Sequence, residues 1–131
     1  EIARGNLPLA EQYLGEALDS ARAIGHRQYV SAALNHRGEL HLQAGAPDQA
    51  AAAFREALDI ARSVGVEVFA ATALFGMARA AAAQGNLAEA ASHLRESRGI
   101  FQAIGHYRSQ EVAAWADENL LPLSSDAQPD V

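Results

Sequence analysis

"YLGEALDSARAIG" at Tyr13–Gly25 and "AFREALDIARSVG" at Ala53–Gly65 are near copies of each other, forty residues apart. The same shift sets Gly5, Gly45 and Gly85 in one column, Ala10, Ala50 and Ala90 in a second, and Gly25, Gly65 and Gly105 in a third. Between 5–26 and 45–66, nine of twenty-two positions are identical, and a third copy keeps "GNL" at 85–87 and "AIGH" at 103–106. A fixed period of this size marks a solenoid, in which each unit leaves an apolar face that only its neighbour can cover.

Within each unit apolar residues recur at spacings of three and four, and the breaks fall on glycine. Leu7, Ala10, Leu14, Ala17, Leu18 and Ala21 form one stripe, repeated as Ala50, Ala53, Phe54, Ala57, Leu58 and Ala61. Pro47 suits a first helical turn, and Asp48 suits the positive helix start. The partner stretches run over about 26–44, 66–84 and 106–119. Gly25, Gly65 and Gly105 fall just past helix ends, where a left-handed residue closes the turn. The spacing predicts seven helical segments, counting a stub at 1–4. It predicts an all-α fold, an α–α superhelix of antiparallel helix pairs. The units are a partial one at 1–25, full ones at 26–65 and 66–105, a capping helix at 106–119, and a flexible polar tail at 120–131.

Composition narrows the function classes. Sixteen acidic residues against ten basic ones give a net charge of −6, which argues against direct binding to a nucleic-acid backbone. All ten basic residues are arginine, which reads as the codon bias of a GC-rich genome. The absence of cysteine rules out disulfides and thiolate metal sites and suits a cytoplasmic protein. No apolar run approaches the ~20 residues of a membrane span, and "EIARGNLPLA" lacks a signal-peptide layout.

Catalytic and cofactor signatures are missing. His26, His36, His41, His93 and His106 contain no pair at the four-residue spacing of a helical metal site, so no metal or cofactor is expected. No G-x-S-x-G, G-x-x-x-x-G-K or G-x-G-x-x-G occurs, and without Cys or Lys the usual covalent nucleophiles shrink to Ser and Thr. Glu16, Asp19 and Arg22 recur as Glu56, Asp59 and Arg62, which reads as charge pairs three apart on a solvated helix face rather than catalytic carboxylates.

Taken in register, Gly38, Gly45, Ala50, Phe54, Ala57 and Leu58 resemble the tetratricopeptide repeat, and Ala78, Gly85, Ala90 and Leu94 match the same columns. The first copy keeps Gly5, Ala10, Leu14 and Ala17, and the resemblance covers about 1–119. The unit is forty residues rather than the usual ~34, and Gly-His or Gly-Val replaces the closing proline. Such long units, ending in "AIGH" or "SVGV", are similar to C-terminal arrays of bacterial transcriptional regulators and signal-transduction ATPases, including the antibiotic regulatory and maltose-regulator-like families.

The resemblance implies a non-catalytic scaffold that binds a protein, a peptide or another domain of its own chain, not an enzyme. The alternative it implies is an effector-sensing regulatory domain within a larger regulator. It places Asn35, His36, Glu39, Leu42, Phe75, Arg79, Ala82, Val112 and Trp115 along the concave groove of the first helices. Phe75 and Trp115 are either groove anchors or filling between helices. A carboxylate clamp is not supported, since only Asn35 and Arg79 could serve it. The register also leaves the face of helix 7–24 uncovered. That implies preceding protein or a second copy docked as a two-fold homodimer.

Overall fold

The structure is a computed structural model that describes residues 2–119, with side chains from Pro8 onward. Six helices follow one another: α1 (Ile2–Ala23), α2 (Arg27–Gln43), α3 (Pro47–Val64), α4 (Glu67–Ala83), α5 (Leu87–Ala103) and α6 (Arg108–Glu118). There is no strand among the described residues, and each helix packs on the next, with α2 also touching α4. The chain is thus an all-α, tetratricopeptide-like superhelix. The tail expected at 120–131 lies outside the described residues.

The turns explain the period. Gly25, Gly45, Gly65, Gly85 and Gly105 all take a left-handed φ between 70° and 86°. The residue after each glycine donates its N–H to a carbonyl five positions back: His26 to Ala21 at 2.9 Å, Val66 to Ala61 at 3.0 Å and His106 to Phe101 at 2.8 Å. This closes each helix with the six-to-one bond of a Schellman motif. A Cβ at any of these glycines would meet nothing within 4 Å, so backbone conformation rather than crowding demands glycine there. The next helix starts at once. His26 caps α2 by accepting the Tyr29 N–H on Nδ1, while Pro47 opens α3 where its missing N–H costs nothing.

One expectation fails at the first glycine. The stub at 1–4 does not form a segment of its own, because α1 runs unbroken through Gly5 and Pro8. At Gly45 and Gly85 the break joins two long helices that pack on each other. Six helices result instead of seven.

Small residues let the helices approach closely. The Ser31 hydroxyl on α2 donates to the Ala57 carbonyl on α3 at 2.9 Å, and both residues are fully buried. The antiparallel register that sets Ser31 level with Ala57 also sets Leu34 level with Phe54 and Gly38 with Ala50, all in one core around Phe54. One unit later Ser97 on α5 donates to the Ala71 carbonyl on α4 at 2.8 Å, with Ala71, Ala78 and Leu94 in a second core. The hydroxyl has moved to the other helix, and the crossing is kept.

The repeated charges on the outer face are exposed as expected, but they do not pair three apart. Arg22 bonds Glu56 at 3.1 Å and Arg62 bonds Glu96 at 2.7 Å, each reaching the equivalent helix of the next unit. All four side chains are about half exposed, so each pair contributes ~0–1 kcal/mol. Among the described residues no helix is long and apolar enough to cross a membrane.

Candidate functional site

The helices α2, α4 and α6 each begin a repeat, and between them lies a cleft of about 390 Å³. α2 supplies Asn35, His36 and Glu39, α4 supplies Phe69 and Thr72, and α6 supplies Arg108, with Tyr107 at its entrance. These residues share a side of the superhelix because helical positions three and four apart stack on one face, and the repeat brings three such faces together.

Linked contacts beside the cleft tie the three helices together. Arg79 on α4 grips the Glu39 carboxylate on α2 with both terminal nitrogens, one of them at 3.1 Å. Its guanidinium lies 4.4 Å from the centre of the Phe75 ring. Phe75 meets Trp115 of α6 edge to face, with ring centres 6.2 Å apart. Arg108 covers Phe75 at 5.6 Å and reaches the Thr72 hydroxyl at 3.4 Å. The ion pair is half-buried, and the stacked guanidiniums remain paired with carboxylates, so the network holds the spacing of the helices without burying a lone charge.

Arg108 also donates to Glu111 at 2.9 Å. That hydrogen bond holds the Glu111 carboxyl below its ordinary value of 4.5, against a smaller opposing effect of burial, with the charges of Arg108 and Arg79 acting in the same sense as the bond.

Asn35 is the unusual member. It is 6% exposed, and its Nδ2 donates to the Phe69 carbonyl at 3.3 Å. Since the partner is a carbonyl, the nitrogen end of the amide must face it. The oxygen Oδ1 is then left buried without a hydrogen bond, at a cost of ~1–3 kcal/mol.

The expected groove residues divide into three groups. Asn35, His36 and Glu39 line the cleft, with His36 exposed at its rim. Arg79 does not line the cleft but holds Glu39, which does, and Leu42, Ala82 and Trp115 are partly covered and pack against the two cores. Phe75 and Val112 are core residues, 2% and 0% exposed. Phe75 shares its column with Asn35 and Trp115, yet the indole edge and two guanidiniums cover its ring, so of the two readings it is filling rather than a surface anchor. Thr72, Phe69, Tyr107 and Arg108 were missed. The register held a signal for one of them, because Thr72 shares a column with Val112. Among the described residues no three His, Asp or Glu side chains come together as a metal site. His26 and His106 instead accept backbone N–H groups at the turns.

A family model described as tetratricopeptide repeat matches residues 1–63, from the start of α1 to the last turn of α3. Searches of curated proteins and of solved structures return no match. Repeats of this kind generally mediate protein–protein interaction, and an all-helical repeat array is typically a non-catalytic scaffold.

Proposed function

We propose that this chain is a non-catalytic protein-binding array whose cleft between α2, α4 and α6 receives an extended segment of a protein partner. The observation that carries this is Asn35, a buried acceptor without a donor in the wall of a cleft that otherwise has its charges paired. A main-chain N–H offered by a partner would satisfy Oδ1 and recover its cost. Phe69, half-buried, and Tyr107, 75% exposed, give such a segment apolar area. Aromatic residues of this kind are favoured anchors.

In this reading the units 26–65 and 66–105 are the working repeats, and 106–119 caps them. The forty-residue period and the "AIGH" turns support a place within a larger bacterial regulatory protein of the cytoplasm, where the occupant is another domain or a peptide effector.

Panning a random peptide library displayed on phage against the full chain tests the site. Peptides so selected should lose about tenfold or more in affinity with Asn35→Ala and with Tyr107→Ala, measured by calorimetric titration. Peptides that bind both variants as they bind the parent would refute the cleft as the site. Phe75→Ala is unsuitable as a probe, since it empties a core position and reports on folding.

A further inference from the structure

Glu39 and Arg108 bring charge to the cleft, and both are already matched. Glu39 is held by Arg79, and Arg108 is held by Glu111, through Nε at 2.9 Å and a terminal nitrogen at 3.4 Å. The other terminal nitrogen of Arg108 reaches Thr72, whose hydroxyl donates to the Val68 carbonyl at 2.8 Å. Among the described residues one buried side-chain polar atom lacks a partner, the neutral Oδ1 of Asn35. Asn35 also departs from its column. The equivalent positions hold Phe75 and Trp115, whose rings meet each other, whereas the space beside Asn35 stays open as the cleft. The apolar side of that space is fixed from the core outward. Phe101 is fully buried, His106 lies against its ring with centres 5.1 Å apart, and Tyr107 stacks on His106 at 4.7 Å. Tyr107 thus offers its free face at a set position, which lowers the ordering cost of binding to it.

From this geometry we infer that the cleft selects an uncharged stretch of its partner. One residue gives its main-chain N–H to Asn35 Oδ1, and an aliphatic or aromatic side chain beside it lies against Phe69 and Tyr107. This selectivity rests on the cleft being the binding site, as proposed above. Charge decides it. A carboxylate entering the cleft meets Arg108 already engaged by Glu111, and a cation meets Glu39 already engaged by Arg79. Either must break an existing pair or sit without a counter-ion, at a cost that a neutral segment avoids. A main-chain N–H arrives neutral and fills the acceptor left open. Proline is excluded at that residue, because it has no N–H to give. With no unpaired charge meeting another across the contact, affinity is insensitive to salt.

The probes are phage-selected peptides, panned against the full chain, whose affinity falls about tenfold or more with Asn35→Ala and with Tyr107→Ala. Tyr107 is 75% exposed, so its truncation leaves the cores intact and guards against mistaking misfolding for lost contact. In these peptides one residue should tolerate neither proline nor N-methylation, each costing about tenfold or more by titration calorimetry. The side chain beside it should be aliphatic or aromatic, and its replacement by Glu or by Arg should cost about tenfold or more. Affinity should change by less than about twofold over a tenfold range of sodium chloride. Peptides that depend on Asn35 and Tyr107 yet share an acidic or basic residue, and weaken as salt rises, overturn the selectivity and leave the cleft as the binding site. A library that returns no peptide sensitive to these two residues overturns the binding site itself, and the selectivity with it.

Discussion

The ring of Phe54 on α3 rests directly on the bare Cα of Gly76 on α4, where a Cβ would stand 2.3 Å from the ring carbon Cε1. Gly38 on α2 meets the same ring from another helix, and a Cβ there would lie 2.5 Å from Cζ. Phe54 is fully buried at the centre of the first core, so one side chain sets the separation of three helices.

Gly76→Ala should therefore destabilise the chain by about 1–3 kcal/mol, the usual cost of overpacking, even though alanine favours helix by ~1 kcal/mol over glycine. Gly99 in α5 has nothing within 4 Å of its Cβ position and an ordinary helical backbone. Gly99→Ala should stabilise by ~0.5–1 kcal/mol. Urea unfolding of the two variants should give shifts of opposite sign, and a stabilising Gly76→Ala would mean that the ring can retreat.

The next unit shows how the crowding is relieved. It pairs Ala78 with Leu94 where the first pairs Gly38 with Phe54, and both are fully buried. Gly38→Ala and Phe54→Leu should each destabilise, and the double variant should lose less than their sum by ~0.5 kcal/mol or more. A thermodynamic cycle from denaturant unfolding measures that coupling, and additive losses would count against this account of the crossing.

The buried serines can be exchanged in the same way. Ser31→Ala should cost ~0.5–1.5 kcal/mol through loss of its bond to the Ala57 carbonyl. Adding Ala57→Ser to that variant should restore much of it, because the hydroxyl then reaches across from the other helix as Ser97 does to Ala71. Thermal melts of the two variants decide whether it does.

Stability should carry a small acid-sensitive contribution from Glu111. Its folded carboxyl titrates below 4.5, chiefly through the Arg108 hydrogen bond, so the ionised form is favoured by folding. The contribution is present at neutral pH, above the unfolded value, and is lost as pH falls through the folded one. Glu111 is half exposed, which limits the effect to at most ~1 kcal/mol. Glu111→Gln should melt slightly below the parent at pH 7, and the difference should vanish at pH 3.

Much of the fold was legible because its signals are local. A glycine every twenty residues marks each turn, and the spacing of Ala17, Leu18 and Ala21 marks the inner face of α1 without reference to any other part of the chain. Gly76 was not legible. Its column holds His36 and Ala116, so it leaves no trace in the repeat, and its reason is a ring from another helix. The cleft was half legible. Register placed Asn35, His36 and Glu39 on the groove side, but the same register put Phe75 beside them.

By itself the sequence determined the period, the boundaries of the helices after α1 to within a residue or two, and the all-α superhelix, since left-handed glycine turns and apolar spacing act over a few residues. Tertiary structure alone decided the pairing. Arg22 is three residues from Asp19 along the chain, yet it bonds Glu56 of α3, thirty-four residues away, and only the superhelical arrangement brings that carboxylate within reach. Only the approach of α6 turns Phe75 from a surface position into a core one. Both depend on how helices are rotated and spaced against one another, which follows from the summed packing of whole faces rather than from any residue's neighbours in the chain.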